Sequence, residues 1–271
     1  MRKVTNIINP NKDKPLREFI EDKYPHLEDV IYNASRSVGL RLLDIKSTDM
    51  GVCYGCDWGN MLIYASKNCY KIIGVENNQT KFDFIKQRIK EENLTNIDLV
   101  SSEIDDTDKS KHIFDFAILN ASSLELCDTN SKAKYSNILK KVFINLKESG
   151  KIYFAVDNKM YYGSLFSLIW PFQNRRHTYS HMRYIKLLNE VGFKNIKTYA
   201  VFPNYEFPLK ILPLFKNVNF DYSPVYEQHS KRTILKRVIG RMQRYFDIII
   251  FKKLKLFYLS PSFIFVAKPS S

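Results

Sequence analysis

A chain of 271 residues, 45% of them apolar and 14% aromatic, can bury one sizeable core, which excludes the disordered and fibrous classes of protein. Its four cysteines are too few for a disulfide scaffold, and we expect them to be thiols in a reducing compartment. The formal net charge of +14 predicts an acidic partner, which could be nucleic acid, an anionic membrane surface or a phosphate-bearing substrate.

The first residues of the chain do not have the pattern of a targeting segment. They are basic and polar, with no apolar run and no small-residue cleavage site, so we expect no secretory signal. No stretch reaches the run of about 18 apolar residues that a bilayer-spanning helix needs. These features predict a cytoplasmic location.

Residues 1–48 are predicted to form an N-terminal helical cover. After a polar arm over residues 1–13, the segment from Lys14 to Tyr24 carries apolar residues at helical spacing, and Pro25 ends that helix. A second helix is predicted from about Leu27 to Leu43.

From Met50, short apolar runs alternate with longer amphipathic segments, which is the pattern of βα units in a parallel sheet. The predicted strands are Gly51 to Tyr54, Lys71 to Val75, Ile97 to Ser101, Phe114 to Leu119 and Lys151 to Val156. The predicted helices are Asn60 to Ser66, Thr80 to Asn93 and Ala133 to Lys147. This alternation predicts an α/β fold with a doubly wound, mostly parallel sheet, and we assign residues 49–202 to that core.

The last part of the sequence adds an insertion and a final strand. A helix is predicted from His181 to Val191 and a strand from Ile196 to Phe202, and these are the last elements of the core before the insertion. Residues 203–260 are predicted to form the insertion, which is irregular over residues 203–225 and basic from Lys231 to Lys255. Residues 261–271 are assigned to a final strand, Ser262 to Lys268, and a tail.

A glycine turn follows the first predicted strand. Gly55 and Gly59 flank it, and glycines at such a place let the backbone approach a ligand near the N-terminus of the next helix. Glu76 ends the second predicted strand, where a carboxylate can accept hydrogen bonds from the two ribose hydroxyls of an adenosine cofactor. A tight turn and a helix-capping acid are the structural alternatives.

These residues resemble the class I S-adenosylmethionine-dependent (AdoMet-dependent) methyltransferases, and the resemblance covers roughly residues 35–200. It rests on five segments in the expected order, which are Gly55-Cys56-Asp57-Trp58-Gly59, Gly74-Val75-Glu76, Ser101-Ser102-Glu103-Ile104, Phe114 to Asn120 and Leu146 to Ile152. The resemblance implies a Rossmann-like fold and AdoMet as cofactor. It implies cofactor contacts by Gly55, Cys56, Asp57, Gly59, Glu76, Asn77, Ser102, Glu103 and Asn120.

A narrower resemblance concerns a methyltransferase subgroup of bacterial surface-polysaccharide and glycan pathways. It rests on Ser35-Arg36, on Ala155 to Lys159 and on Phe202 to Pro208, and it implies a glycan or glycan-linked acceptor. Two positions depart from the family, because Cys53 stands where an acidic residue is usual and Asp57 replaces the central glycine. A catalytically degenerate methyltransferase-like partner or scaffold protein is therefore an alternative.

Transfer of a methyl group to a hydroxyl needs a base for the proton, and three residues after the fifth strand are candidates. They are His177, His181 and Asp157, with a surface histidine or a turn-capping acid as the structural alternatives. Asn120 is followed by Ala-Ser-Ser and not by the Pro-Pro of amino-directed nucleic-acid methyltransferases, so we expect methylation of oxygen. The basic charge leaves RNA methylation as a further alternative.

The segment from Lys231 to Lys255 holds nine Lys or Arg residues and one acidic residue among many apolar ones. Such a segment can lie on an anionic membrane, and a solvated helix that packs on the core is the alternative. The pattern favours peripheral membrane contact by residues 231–255 over nucleic-acid binding. No metal site is expected, since Cys53 and Cys56 form an isolated C-x-x-C pair and the five histidines are scattered.

Overall fold

The computed structural model describes residues 15–101, 112–120, 132–161, 178–214, 245 and 248–270. Its helices are α1 (Leu16–Lys23), α2 (Pro25–Tyr32), a 3₁₀ helix (Ala34–Leu43), α3 (Asn60–Ser66), α4 (Gln79–Glu91), α5 (Lys132–Asn145) and α6 (His181–Val191). A π-helical turn (Ile248–Lys253) and a short 3₁₀ turn (Phe257–Leu259) follow near the C-terminus. The strands are β1 (Met50–Tyr54), β2 (Lys71–Val75), β3 (Ile97–Val100), β4 (Phe114–Asn120), β5 (Leu146–Asp157), β6 (Phe193–Phe202), β7 (Lys210–Pro213) and β8 (Ser262–Pro269).

The eight strands form one sheet in the order β3-β2-β1-β4-β5-β8-β6-β7. Strands β1 to β5 are parallel to one another, and β8 lies antiparallel between β5 and β6. The predicted α/β fold with a doubly wound, mostly parallel sheet is confirmed. The chain order reverses direction across the sheet between β1 and β4, so the carboxyl ends of these strands flank the crevice in which ligands of open α/β sheets bind.

The sheet is buried on both faces. One face packs under α5 and α6, where Ile138, Leu139 and Val142 meet Tyr184 and Leu188. The other face packs under α3 and the 3₁₀ helix, where the buried residues include Leu40, Leu43, Met61, Leu62, Ile72, Phe116 and Tyr153. Strands covered on both faces are apolar throughout, which is why they appear in the sequence as continuous apolar runs.

Close packing explains one glycine of β1. A Cβ atom on Gly51 would lie 2.1 Å from Cζ of Phe116, a ring on the neighbouring strand that is 2% exposed. The ring of Phe116 crosses the backbone of β1 at this point, and no larger residue fits there.

The N-terminal helices cover the start of α3 and α4. Their apolar faces pack with Trp58 and Phe84 in one cluster, which also holds Leu16, Phe19, Ile20, Leu27 and Ile31. The carboxylate of Glu91 on α4 accepts the backbone N–H of Leu16 at 3.1 Å, which fixes the beginning of α1. The cover is therefore attached directly to the turn that follows β1.

Within the described part of the chain, none of the helices combines the length and the apolar character that crossing a membrane requires.

Candidate active site

The glycine turn after β1 has the backbone conformation that its sequence indicates. Gly55, Asp57 and Gly59 all have positive φ angles, of 68°, 54° and 88°. The N–H of Gly55 donates to the carbonyl of Val75 on β2 at 2.9 Å, and the N–H of Gly59 donates to the carbonyl of Cys56 at 2.9 Å. The chain is thus bent tightly at the carboxyl ends of β1 and β2, directly before α3.

Glu76 points at this turn. Its Oε2 accepts the backbone N–H of Asp57 at 3.0 Å, and its Oε1 accepts the backbone N–H of Asn78 at 3.0 Å. The residue is 1% exposed, and burial raises the pKa of its carboxyl, although the N–H of Asn78 and the charge of Lys81 oppose that rise. The carboxylate joins the end of β2 to the middle of the glycine turn.

Asp57 is the centre of an ion network above the turn. Its Oδ2 accepts a hydrogen bond from Nη2 of Arg36 at 2.8 Å, and its Oδ1 accepts one from Nζ of Lys81 at 2.5 Å. The side chains of Arg36 and Asp57 are only 9% and 16% exposed. Arg36 also lies over the ring of Phe207 at 5.2 Å, and Lys81 lies 5.7 Å from the ring centre of Trp58. Three separate parts of the chain therefore meet at Asp57.

A cleft opens beside this network. It is narrow, with a free volume of about 10 Å³, and it lies at the carboxyl ends of β1 and β4. Its lining combines the turn, the start of α3, the end of β4 and the loop after β6, with Arg36, Cys56, Asp57, Trp58, Asn60, Met61, Asn120, Tyr205 and Glu206. This is the crevice at the strand-order reversal, where the fold is expected to hold a ligand.

Two amide groups near the turn have buried atoms without a hydrogen-bond partner in the part of the chain that the structure describes. They are Nδ2 of Asn60, which lines the cleft, and Oδ1 of Asn77, which follows Glu76. Buried polar atoms are nearly always satisfied in native proteins, so a donor and an acceptor without partners mark places for a polar ligand.

The structure brings together most of the predicted cofactor residues. Gly55, Cys56, Asp57, Gly59 and Glu76 form the turn and its support, Asn77 follows Glu76, and Asn120 lies across the cleft, where its Nδ2 is 3.2 Å from Sδ of Met61. Ser102 and Glu103 lie outside the described residues. The cofactor contacts themselves remain predictions.

Two of the three predicted proton acceptors, His181 and Asp157, do not line the cleft. His181 is buried at the start of α6, stacked on Phe265 with ring centres 5.8 Å apart, and its Nε2 is 3.4 Å from Oγ1 of Thr198. Burial lowers the pKa of this imidazole. Asp157 ends β5, and its Oδ1 accepts a hydrogen bond from Oγ of Ser262 at 2.8 Å. His177 lies outside the described residues.

The cysteines near the turn are buried thiols. Cys53, Cys56 and Cys69 are free, and Sγ of Cys56 lies 3.4 Å from the carbonyl oxygen of Cys53. Burial raises the pKa of the Cys56 thiol well above its usual range, which disfavours the thiolate that redox chemistry needs. Cys127 lies outside the described residues. In the described ranges, no group of three or more His, Cys, Asp and Glu side chains is placed to hold a metal ion.

The sequence predicts no individual role for several residues around the cleft. Arg36, Tyr205 and Glu206 belong only to segments of a resemblance, and no role is predicted for Lys81. An arginine in a mostly apolar helical segment was the available signal for Arg36, since a buried guanidinium needs an anionic partner. That partner is Asp57, which lies 21 residues further along the chain.

The sequence of the chain resembles known proteins over a short segment only. No known family model matches the chain. In sequence it is 28% identical over 67 residues to the 23S rRNA (uracil(1939)-C(5))-methyltransferase RlmD of Legionella pneumophila. That match takes in 25% of this chain and 15% of the length of the relative.

Solved structures resemble the chain over most of its length. Phosphoethanolamine N-methyltransferase 2 of Haemonchus contortus, solved with phosphomonomethylethanolamine and S-adenosylhomocysteine, has a TM-score of 0.59 at 13% identity and covers 95% of this chain and 61% of its own. A SAM-dependent methyltransferase of Thermotoga maritima has a TM-score of 0.54 at 13% identity, with coverages of 93% and 96%. The [4+2]-cyclase SpnF has a TM-score of 0.56 at 12% identity, with coverages of 87% and 80%. At these identities the likeness concerns the fold, and the chain has the fold of the SAM-dependent methyltransferases.

Proposed function

We propose that this protein is an AdoMet-dependent methyltransferase that binds its cofactor in the cleft beside the glycine turn. The observation that carries the proposal is the direction of Glu76, whose carboxylate lies under the turn at the end of β2 and accepts the backbone N–H of Asp57. A carboxylate at this place in the fold is suited to the ribose hydroxyls of an adenosine cofactor. The fold alone would not carry the proposal, because a [4+2]-cyclase shares it.

The residues around the cleft fit the polar groups of AdoMet. Asp57 offers a carboxylate to the amino group of the methionine part, and Arg36 offers a guanidinium to its carboxylate. Nδ2 of Asn60 and Oδ1 of Asn77 are a donor and an acceptor that have no partner among the described residues. When bound, AdoMet supplies a methyl group on a sulfonium centre. Ser102 and Glu103 are included in the proposal as adenine contacts.

Cofactor entry requires a local rearrangement of the cover. Glu76 is 1% exposed, and Asp57 is held by Arg36 and Lys81. For ribose to reach Glu76, the ion pair between Arg36 and Asp57 must be exchanged for contacts with the ligand, while Lys81 stays with Asp57, and Arg36 must leave the ring of Phe207. Asp57 and Arg36 can each exchange one protein partner for one end of a zwitterionic amino acid, so the exchange leaves no charge without a counterion.

Glu206 is our choice for the group that accepts the proton from the acceptor hydroxyl. It lines the cleft from the loop after β6, opposite the turn, and a general base must be within hydrogen-bond reach of the reacting group. His177, His181 and Asp157 were the residues predicted for this role. Among them, His181 and Asp157 are engaged with Thr198 and Ser262 away from the lining of the cleft.

The proposed acceptor is a hydroxyl of a glycan or of a glycan-linked molecule. The resemblance to glycan-pathway methyltransferases supports it, because two of its segments supply Arg36, Tyr205 and Glu206 to one cleft. The absence of Pro-Pro after Asn120 favours oxygen over an exocyclic amine as the methylated atom. Contact of residues 231–255 with an anionic membrane surface belongs to the same proposal, although residues 231–244 lie outside the described part.

RNA methylation is a second candidate. The match to RlmD over 67 residues and the net charge of +14 favour it. A degenerate methyltransferase-like scaffold is a third, since Asp57 occupies the place of a glycine. The three candidates differ in cofactor binding and in acceptor, so two measurements separate them.

The first measurement is calorimetric titration of the full chain with S-adenosylhomocysteine and AdoMet. We expect saturable binding that is lost in Asp57→Ala and retained in the control variant Asp98→Ala, which changes a carboxylate that is 54% exposed on β3. Absence of any heat at millimolar ligand would refute the enzyme proposal and favour the scaffold.

The second measurement is transfer of labelled methyl from AdoMet to surface glycan or to ribosomal RNA. If RNA becomes labelled and glycan does not, the acceptor is RNA and the proposal of a glycan acceptor is wrong.

A further inference from the structure

We propose that a basic and apolar surface at the carboxyl end of β5 docks the protein on an anionic lipid bilayer. We call this surface the edge patch and define it by Lys159, Met160, Lys253, Leu254 and Tyr258. The inference deepens the membrane contact proposed above for residues 231–255 and rests on it. Docking is measured without cofactor or acceptor, so its failure is distinguishable from a failure of methyl transfer.

The two segments of the edge patch are fixed side by side by Asn158. This residue is 0% exposed, and its Nδ2 donates to the carbonyl groups of Tyr258 at 2.9 Å and Ser260 at 2.8 Å. Its backbone N–H donates to the carbonyl of Pro261 at 3.0 Å, and its Oδ1 accepts the N–H of Met160 at 3.0 Å. The loop after β5 and the segment before β8 therefore form one continuous surface.

The apolar side chains of the edge patch point outward from an anchored segment. Phe251 and Phe257 are 0% and 3% exposed and stack with ring centres 6.1 Å apart, and Phe251 also contacts Phe202 at 4.7 Å. Between and beside these anchors, Leu254 is 57% exposed and Tyr258 is 47% exposed. Met160, on the adjoining loop, is 55% exposed. Large apolar groups grouped on a fixed surface mark an interaction site more strongly than single exposed ones do.

The charge of the edge patch has one sign. Lys159 and Lys253 are both exposed, and the sequence from 248 to 270 contains no acidic residue. Lysines next to aliphatic groups and a tyrosine suit the interface of an anionic bilayer, where the ammonium groups meet lipid phosphates and the apolar groups enter the acyl boundary. A nucleic acid would leave Met160 and Leu254 exposed, because single strands are bound by stacking on aromatic rings.

The position of the edge patch relates the bilayer to the cleft. Strand β5 is parallel to β4, and β4 is parallel to β1, so the end of β5 lies at the same edge of the sheet as the glycine turn. Docking through the edge patch therefore turns the edge that carries the cleft toward the lipid surface. An acceptor that is attached to a lipid would be presented from that side.

The test is co-sedimentation of the full chain with phosphatidylcholine vesicles that contain or lack phosphatidylglycerol. We expect binding only to the anionic vesicles, and weaker binding as salt is raised. Lys159→Gln together with Lys253→Gln should weaken binding about 25-fold, at about fivefold for each lysine removed. Leu254→Ser together with Tyr258→Ser should weaken it at least about tenfold.

Matched control variants lie at the opposite edge of the sheet. Lys194 and Lys268 face each other near the start of β6, and Tyr70, which is 66% exposed, precedes β2. Lys194→Gln with Lys268→Gln, and separately Tyr70→Ser, should bind vesicles like the wild type, and thermal unfolding checks that all variants are folded. Equal loss of binding in the lysine controls and in the edge-patch pair would overturn the proposal. Binding of the wild type to poly-uridine RNA but to neither type of vesicle would also overturn it.

Discussion

Replacing Glu76 by Gln removes one acceptor from the support of the glycine turn. The carboxylate accepts two backbone N–H groups at 3.0 Å each, whereas a glutamine amide offers one oxygen and directs its NH₂ group at the other donor. A buried N–H that loses its acceptor costs about 1–3 kcal/mol. Burial raises the pKa of Glu76, so ionisation of this carboxyl lowers stability as pH rises above its ordinary range, and the neutral amide avoids that loss. We therefore expect Glu76→Gln to lower the free energy of unfolding at neutral pH by about 1 kcal/mol, toward the low end of that range.

The effect on the cofactor should be larger than the effect on stability. Hydrogen bonds from the ribose hydroxyls to a charged carboxylate are worth about 1.5–3 kcal/mol, so the loss should weaken S-adenosylhomocysteine binding by about 10- to 150-fold. Calorimetry gives the dissociation constant, and urea unfolding followed by circular dichroism gives the stability. Glu190→Gln is the matched control, because Glu190 is a more exposed carboxylate on α6 that pairs with Lys186. A folded Glu76→Gln protein that binds S-adenosylhomocysteine as tightly as the wild type would refute the assignment of the ribose site.

Three further substitutions test the packing and the charges. Gly51→Ala should lower the free energy of unfolding by about 1–3 kcal/mol in urea titrations, because its Cβ would lie 2.1 Å from Phe116, and Phe116→Leu in the same chain should restore part of the loss. His181→Leu should remove a pH dependence: burial lowers the pKa of the folded imidazole, so its contribution to stability is present above its ordinary pKa and is lost as pH falls below about 6.5. The wild type should therefore lose more stability than His181→Leu between neutral pH and pH of about 5, and equal losses would contradict the burial argument. Asp57→Asn should destabilise the chain by about 3 kcal/mol, because it leaves Arg36 buried without its anion, and an unchanged urea midpoint would contradict the ion network.

The strands of the core were predictable because burial on both faces makes them short apolar runs. The prediction of β2 agrees with the structure at both ends, and α3 begins and ends at the predicted residues, Asn60 and Ser66. Strand β5 begins at Leu146, five residues before its predicted start at Lys151. Before Lys151, Leu146 pairs with Phe114, and the polar residues between Leu146 and Lys151 lie in an irregularity where the register of β4 and β5 shifts. An apolar pattern does not predict an interrupted pairing of this kind.

Two differences have local causes. The helix predicted from Leu27 to Leu43 is divided at Asn33, whose extended backbone ends α2 and whose side chain accepts the N–H of Ser35 to begin the 3₁₀ helix. Asparagine is a common N-cap, so the division had a signal in the sequence. The segment predicted to be irregular over 203–225 contains β7, which adds to the edge of the sheet through β6. A four-residue edge strand has too few residues for a periodic pattern.

The glycine turn and its contact with Glu76 were predictable from the sequence, whereas the places of Arg36 and Glu206 beside them were not. The turn and Glu76 belong to neighbouring strands, so their order in the sequence fixes their place in a parallel sheet. Arg36 and Glu206 come from a helix before the core and a loop after it, and only the packing of the whole chain brings them to one cleft. The sequence predicts a surface position or a role as a base for His181. Its burial was not predictable, because its aromatic neighbours Phe263 and Phe265 lie more than 80 residues away in sequence.

Asp57 shows how a departure from a family pattern can be consistent with the physics of its surroundings. Its φ angle of 54° is one that glycine adopts freely and that aspartate tolerates at a cost of about 1–2 kcal/mol. The carboxylate gains two cations in a partly buried place, Arg36 and Lys81, and neither would otherwise have an anion among the described residues of the turn. Loss of a partner from such a group costs more than the backbone conformation does. The two cations therefore require the aspartate. Its carboxylate places a negative charge in the turn, which the buried thiol of Cys53 at the end of β1 does not provide.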